Sequence, residues 1–154
     1  MSIVKHWKKL KWQSLHLKRF HLNNKMSSFV PAMIFSSFLG TCADFILIKN
    51  GLYSFPVRPF PMIFTVNIFF TLCFLPAATL GFLMYAQQVT PKICWLTIIA
   101  VAAVMPFVEE TTEKWGWFIH SNDWKHIYSF FGYMVYLSFV WMFHRWYKHL
   151  NRSD

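Results

Sequence analysis

Six side chains able to do acid–base or metal chemistry crowd one stretch of this sequence: Glu109, Glu110, Glu113, His120, Asp123 and His126. Glu109 and Glu113 stand four residues apart, which puts both carboxylates on one face of a helix. Like charges so placed repel unless a proton or a cation lies between them. Carboxylates with an imidazole form a ligand set for a divalent metal, and the same groups can relay protons. The opposing consideration is position. The segment closes an apolar run, and carboxylates at a helix end in water are solvated at little cost, with Glu110 and Lys114 an ordinary i,i+4 pair. An acidic outer rim is therefore expected, with Glu109, nearest the apolar run, the member best placed for burial. Asp44, near the end of an earlier apolar run, could bind a cation or pair with Lys49 or Arg58. It is expected as an interfacial carboxylate wetted at headgroup level.

The elements that must position these residues are membrane spans. The 154 residues are 56% hydrophobic and 21% aromatic, with only 14% charged, where a soluble domain carries about a quarter charged residues. That composition excludes a disordered chain, and three cysteines exclude a disulfide scaffold. Four apolar stretches approach the roughly 20 residues that cross a bilayer, at about 26–48, 62–86, 93–110 and 127–145. Gly51, Pro56, Pro59 and Pro61 break the chain between the first two, and Pro91 suits the first turn of the third. The expected fold is all-α: an integral membrane four-helix bundle over 26–148, a basic amphipathic N-terminal segment at 1–25 and a short tail at 149–154. No internal repeat is evident.

Segment 1–25 holds Lys5, Lys8, Lys9, Lys11, Lys18, Arg19 and Lys25 and no acidic residue. With apolar spans following at once, anionic lipid headgroups are the expected polyanion, rather than nucleic acid. Ile3, Val4, Trp7, Leu10, Leu15 and Leu17 share one side of a helical plot, so the segment reads as an imperfect amphipathic helix on the bilayer surface or a basic topology anchor. With the N-terminus cytoplasmic, eleven Lys and Arg fall inside and four (Lys49, Arg58, Lys114 and Lys125) outside. That bias places both termini on the cytoplasmic side of the cell membrane. Trp115, Trp117 and Trp124 are then expected in the outer interfacial belt, and Trp141, Trp146 and Tyr147 in the inner one. Leu39-Gly40-Thr41-Cys42 imitates a lipobox, but Thr before Cys and the long basic region argue against cleavage or lipidation.

Within the spans, Asn67 is expected to bridge helices by hydrogen bonding, and Ala77 with Gly81 to allow close helix contact. Pro76 and Pro106 break backbone hydrogen bonds in mid-span. Cys42, Cys73 and Cys94 read as small packing residues. Residues 109–114 approach the EExxxR motif of CAAX-processing membrane proteases, with Lys114 for the Arg. That family also needs Phe four residues before a His, and the positions before His120, His126, His144 and His149 hold Gly116, Asn122, Val140 and Arg145. The assignment fails on that motif.

From Asp44 to Tyr147 the chain resembles a set of small four-span membrane proteins of Bacillus-type and clostridial bacteria that have no assigned function. The resemblance rests on several features of this sequence. Asp44 precedes an outer loop with a Lys and Tyr53, Pro76 lies in the second span, and Glu109 stands seven residues before Gly116. His120 occupies a position often aromatic, followed by Trp124, Tyr128-Ser129 and Tyr133. It implies membrane location and fold, and no chemistry. Two functional expectations follow. The first is a non-enzymatic protein without cofactor, acting through a membrane-protein partner, as an accessory subunit, or as a homo-oligomer. The second is a small transporter or metal-dependent membrane enzyme built on Glu109, Glu110, Glu113 and His120.

Overall fold

A computed structural model describes residues 26–151. The basic segment with Lys5, Lys8, Lys9, Lys11, Lys18 and Arg19, and hence its expected amphipathic helix, lies outside the described residues. The elements in chain order are α1 (Val30–Lys49), β1 (Tyr53–Ser54), a π-helical turn (Phe70–Phe74) continuing into α2 (Leu75–Ala86), α3 (Pro91–Lys114), β2 (Ile119–His120) and α4 (His126–Leu150). The fold is all-α apart from β1 and β2, which pair antiparallel. Helix α4 is the hub: α3 packs along it, α1 packs on it and on α2, and α2 touches it more lightly.

Three helices, α1, α3 and α4, are long and apolar enough to cross a membrane. Their outward faces carry large apolar side chains in the open, among them Ile34, Phe38, Phe107, Phe131 and Phe139. Water-soluble monomers rarely expose contiguous apolar surface on this scale, so these faces fit lipid. The inward stripe of α3 repeats every four residues, at Cys94, Ile98 and Ala102. It meets Leu137, Val140 and Trp141 of α4 in a core that Phe29, Ala32 and Leu83 complete.

The second apolar stretch departs from the expectation of a helix over 62–86. Helix begins only at residue 68. Residues 55–64 form a loop in which Phe60, between two prolines, takes φ 53°, a rare choice for a residue with a Cβ. Arg58 ties that loop by donating to the carbonyls of Phe55 (2.5 Å), Phe64 (2.7 Å) and Pro61 (3.4 Å). Asn67 does not bridge helices. Its Oδ1 accepts the Phe70 amide at 3.2 Å, capping the helix N-terminus. The Leu75 amide reaches back five residues to Phe70, and this wider π-turn immediately precedes Pro76, inside a helix that runs unbroken to Ala86. Ala77 and Gly81 face outward, with no atom near a Cβ built on Gly81. The close approach falls at Gly40 instead, where an added Cβ would collide with Leu75 Cδ2.

Two helix ends follow one local plan, although the sequence shows no repeat. Helix α1 stops at Gly51 (φ 68°), with the Gly51 amide on Ile48 O (2.9 Å) and the Leu52 amide on Leu47 O (3.0 Å). Helix α3 stops at Gly116 (φ 73°), with the Gly116 amide on Glu113 O (2.9 Å) and the Trp117 amide on Thr112 O (3.1 Å). Both are Schellman closures, which need a left-handed residue that glycine supplies without steric strain. Each then turns the chain at once into a strand, and the strands meet with Tyr53 opposite His120 and Ser54 opposite Ile119.

Candidate functional site

The two Schellman turns carry two carboxylates, the buried Asp44 and the largely buried Glu109, to one place. Asp44 lies seven residues before Gly51 and Glu109 seven before Gly116, two helical turns inside each stop. Each strand returns an aromatic ring over the helix it follows. Tyr53 donates its hydroxyl to Asp44 Oδ1. His120 brings Nε2 to 3.6 Å from Glu109 Oε2. Asp44 is only 8% exposed, so the expected wetted interfacial carboxylate is corrected. Its partner is Tyr53, while Arg58 is engaged by the loop carbonyls described above.

Glu109 is 13% exposed at its side chain and points into the bundle. It accepts from the Ser129 hydroxyl and is hydrogen-bonded to Tyr133, both on α4. Trp124 Nε1 donates to the same Ser129 oxygen at 3.2 Å. The His120 side chain, 5% exposed, stacks on Trp124 with ring centres 5.0 Å apart. Glu113 accepts the His120 backbone amide at 2.8 Å, and its other oxygen lies 3.4 Å from Nδ1. The imidazole is thus held between two carboxylates and flat against an indole. Phe118 packs on Tyr53 and edge-on to His120, at 4.8 and 4.4 Å between ring centres.

The acidic rim therefore divides. Glu109 and Glu113 face the site, whereas Glu110 stays at the exposed rim with Lys114, 2.9 Å away. His126 reaches the cluster only edge-on, 5.8 Å from His120. Trp115 and Trp117 are exposed, as an interfacial belt requires, but Trp124 sits in the cluster, and at the other end Trp141 is buried in the core. Among the described residues, no three His, Cys, Asp or Glu side chains converge so as to hold a metal ion. Among the described residues, three buried atoms at this end have no hydrogen-bond partner: Asp44 Oδ2, His120 Nε2 and Ser121 Oγ.

Burial, and next the Asp44 carboxylate, hold the Tyr53 hydroxyl protonated well above the usual tyrosine range. Tyr53 therefore stays a donor to Asp44 at any physiological pH. The arrangement ties four parts of the chain together: α1 to its own strand, that strand to β2, β2 to α3, and α3 to α4. Tyr53, Ser129 and Tyr133 stand out in the sequence only as markers of the family resemblance, and Trp124 otherwise only as a member of the outer belt. Their common role becomes visible when the two strands pair. Comparison with protein-family models, with curated proteins and with solved structures returns no match.

Proposed function

We propose that this chain is a four-span protein of the cell membrane with both termini cytoplasmic, non-enzymatic, and acting through a membrane-protein partner or as an accessory subunit. The observation that carries this reading is the use made of the chemically able side chains. Glu109, Glu113, His120 and Asp44 each bond to or lie against a neighbour that fastens a strand to a helix, which is the use a structural site makes of such groups. The surface left for interaction is the apolar exterior of the helices.

The fourth span would be the stretch over 68–86. It includes a 17-residue apolar helix, Phe70–Ala86, about 26 Å at 1.5 Å per residue, close to a hydrocarbon core of about 30 Å. Charge supports the orientation. Eleven Lys and Arg, seven of them in segment 1–25, fall on the cytoplasmic side in this orientation, against Lys49, Arg58, Lys114 and Lys125 at the end that holds the strands. The basic segment 1–25 would add contact with anionic headgroups. Kinship with the four-span family of Bacillus-type and clostridial bacteria belongs to the same reading. It is supported by the gathering of Asp44, Tyr53, Glu109, His120, Trp124, Ser129 and Tyr133 at one site.

The test is gentle co-purification of the full chain from its native membranes, in wild type and Glu109→Gln, with mass analysis. A stoichiometric protein partner retained in every variant that folds supports the reading. A second reading, a transporter or metal-dependent enzyme on Glu109, Glu110, Glu113 and His120, is favoured by the unpartnered Asp44 Oδ2 and His120 Nε2. A homo-oligomer without partner, carrying metal that a folded Glu109→Gln variant loses, would establish that reading in place of the first.

A further inference from the structure

At the end of the bundle opposite the carboxylates, a cavity of about 340 Å³ opens between the α2–α3 turn and the last turns of α4. Its polar lining comes from Gln87, His144, Arg145, Lys148 and His149, and no acidic side chain lines it among the described residues. Trp141 forms an apolar wall, and the Arg145 guanidinium lies over its ring, 5.0 Å from the centre. Lys148 follows His144 by four residues and so shares its face of the helix. Val89 and Pro91, at the start of α3, also border the space, so the positive end of a 24-residue helix dipole adds to the same field.

His144 turns this basic patch into a built site. The residue is 3% exposed and its ring is fixed on two sides. Phe29 stacks on it at 5.1 Å between centres, and the Gln87 amide nitrogen lies 2.9 Å from Nε2. An amide NH₂ only donates, so Nε2 accepts and the ring proton resides on Nδ1. Among the described residues that Nδ1 has no hydrogen-bond partner, and it is closed to water. A buried donor left unmatched is destabilising, so an anion held on the two cations beside it stabilises that N–H through its field.

We infer that this cavity binds a phosphoryl anion, taking its oxygens on Arg145 and Lys148 beside the buried His144 ring. Guanidinium and ammonium groups together are suited to phosphate oxygens. The volume exceeds the roughly 30 Å³ share of a water molecule many times over, leaving room for an ester substituent beyond the phosphate. Headgroup phosphate of an anionic lipid and free phosphate present the same chemistry. The inference is independent of the proposed function, since none of the residues used at the carboxylate end takes part.

The test is calorimetric titration of the full chain in a non-ionic detergent, with inorganic phosphate and separately with short-chain phosphatidylglycerol. One saturable site per chain is expected. Arg145→Gln with Lys148→Gln weakens it about tenfold or more, and Arg145→Lys with Lys148→Arg retains it. The distant pair Lys114→Gln with Lys125→Gln leaves it unchanged. Gln87→Leu, which alters no charge, weakens it because the His144 ring loses its anchor. Binding of both ligands assigns the site to the phosphoryl group itself, and binding of the lipid alone assigns it to a headgroup ester. Three results would overturn the inference: no saturable binding of either ligand, binding unaffected by Arg145→Gln with Lys148→Gln, or indifference of a folded Gln87→Leu variant. Circular dichroism of each variant identifies those that fold.

Discussion

Removing one oxygen atom tests the strand-to-helix lock. Tyr53→Phe keeps the ring packed on Phe55 and Phe118, 5.5 and 4.8 Å between centres, and deletes only the hydroxyl that donates to Asp44. Both residues are buried, and Asp44 Oδ2 already lacks a partner. The variant therefore leaves a buried carboxyl group without this donor on either oxygen. A hydrogen bond to a charged acceptor is worth about 1.5–3 kcal/mol net, and a stranded buried acceptor costs at least as much. A loss near the upper end, about 3 kcal/mol, is expected. Asp44→Asn removes the charge but keeps an acceptor for Tyr53, so it should cost about 1 kcal/mol. In the Asp44→Asn background, Tyr53→Phe should cost less than in wild type, with a coupling of about 1–2 kcal/mol. The assay is reversible unfolding of the full chain in mixed micelles, followed by circular dichroism. A Tyr53→Phe effect below about 0.5 kcal/mol, or equal effects in both backgrounds, would refute the lock.

Other outcomes follow from the same structure. Because the folded state holds Tyr53 protonated while the unfolded chain ionises near pH 10, its contribution is fully present below that pH. It is lost as pH rises above it, so the stability difference between wild type and Tyr53→Phe should narrow above about pH 10 and go on narrowing as pH rises, read by parallel unfolding curves. Gly116→Ala forces a Cβ into a left-handed conformation and should cost about 1–2 kcal/mol, whereas Gly81→Ala, with open space around it, should be neutral or mildly stabilising in the same assay. Gly40→Ala should destabilise through Leu75 Cδ2, and Leu75→Val, which removes the Cδ atoms, should recover part of that loss. Arg58→Gln frees three loop carbonyls and should raise the rate of proteolysis within 55–64 without unfolding the helices.

Much of the helical plan was legible because lipid-compatible length and helix stops are local properties. Gly51 and Pro91 mark helix boundaries in the sequence and in the structure. Hydropathy fails at Met62, Ile63 and Phe64, which are apolar but sit in a loop and are exposed. It measures what a residue tolerates around it, and Pro59 and Pro61 decide that backbone instead. The candidate site was half legible. Glu109 and Glu113 share a helix face, so their pairing follows from spacing, and so does the exposure of Glu110 beside Lys114. The burial of Asp44 does not follow, because it depends on Tyr53 crossing back after a tight turn. The two-residue strands are too short to carry any alternation of polarity, yet their pairing brings the halves of the site together. The inward position of Trp124 follows from the turn between β2 and α4, in which the Trp124 amide bonds Ser121 O and the ring meets His120 and Ser129.

The most direct test of the account is labelling of single cysteines, in a chain whose native Cys42, Cys73 and Cys94 are replaced by Ala, with a membrane-impermeant thiol reagent on intact cells. Four spans with the carboxylate site outside require Ser54→Cys and Asn122→Cys to label at once, and Gln88→Cys and Asn151→Cys only after the membrane is opened. Labelling of Gln88→Cys on intact cells would show that residues 68–86 do not cross, and would contradict the four-span account.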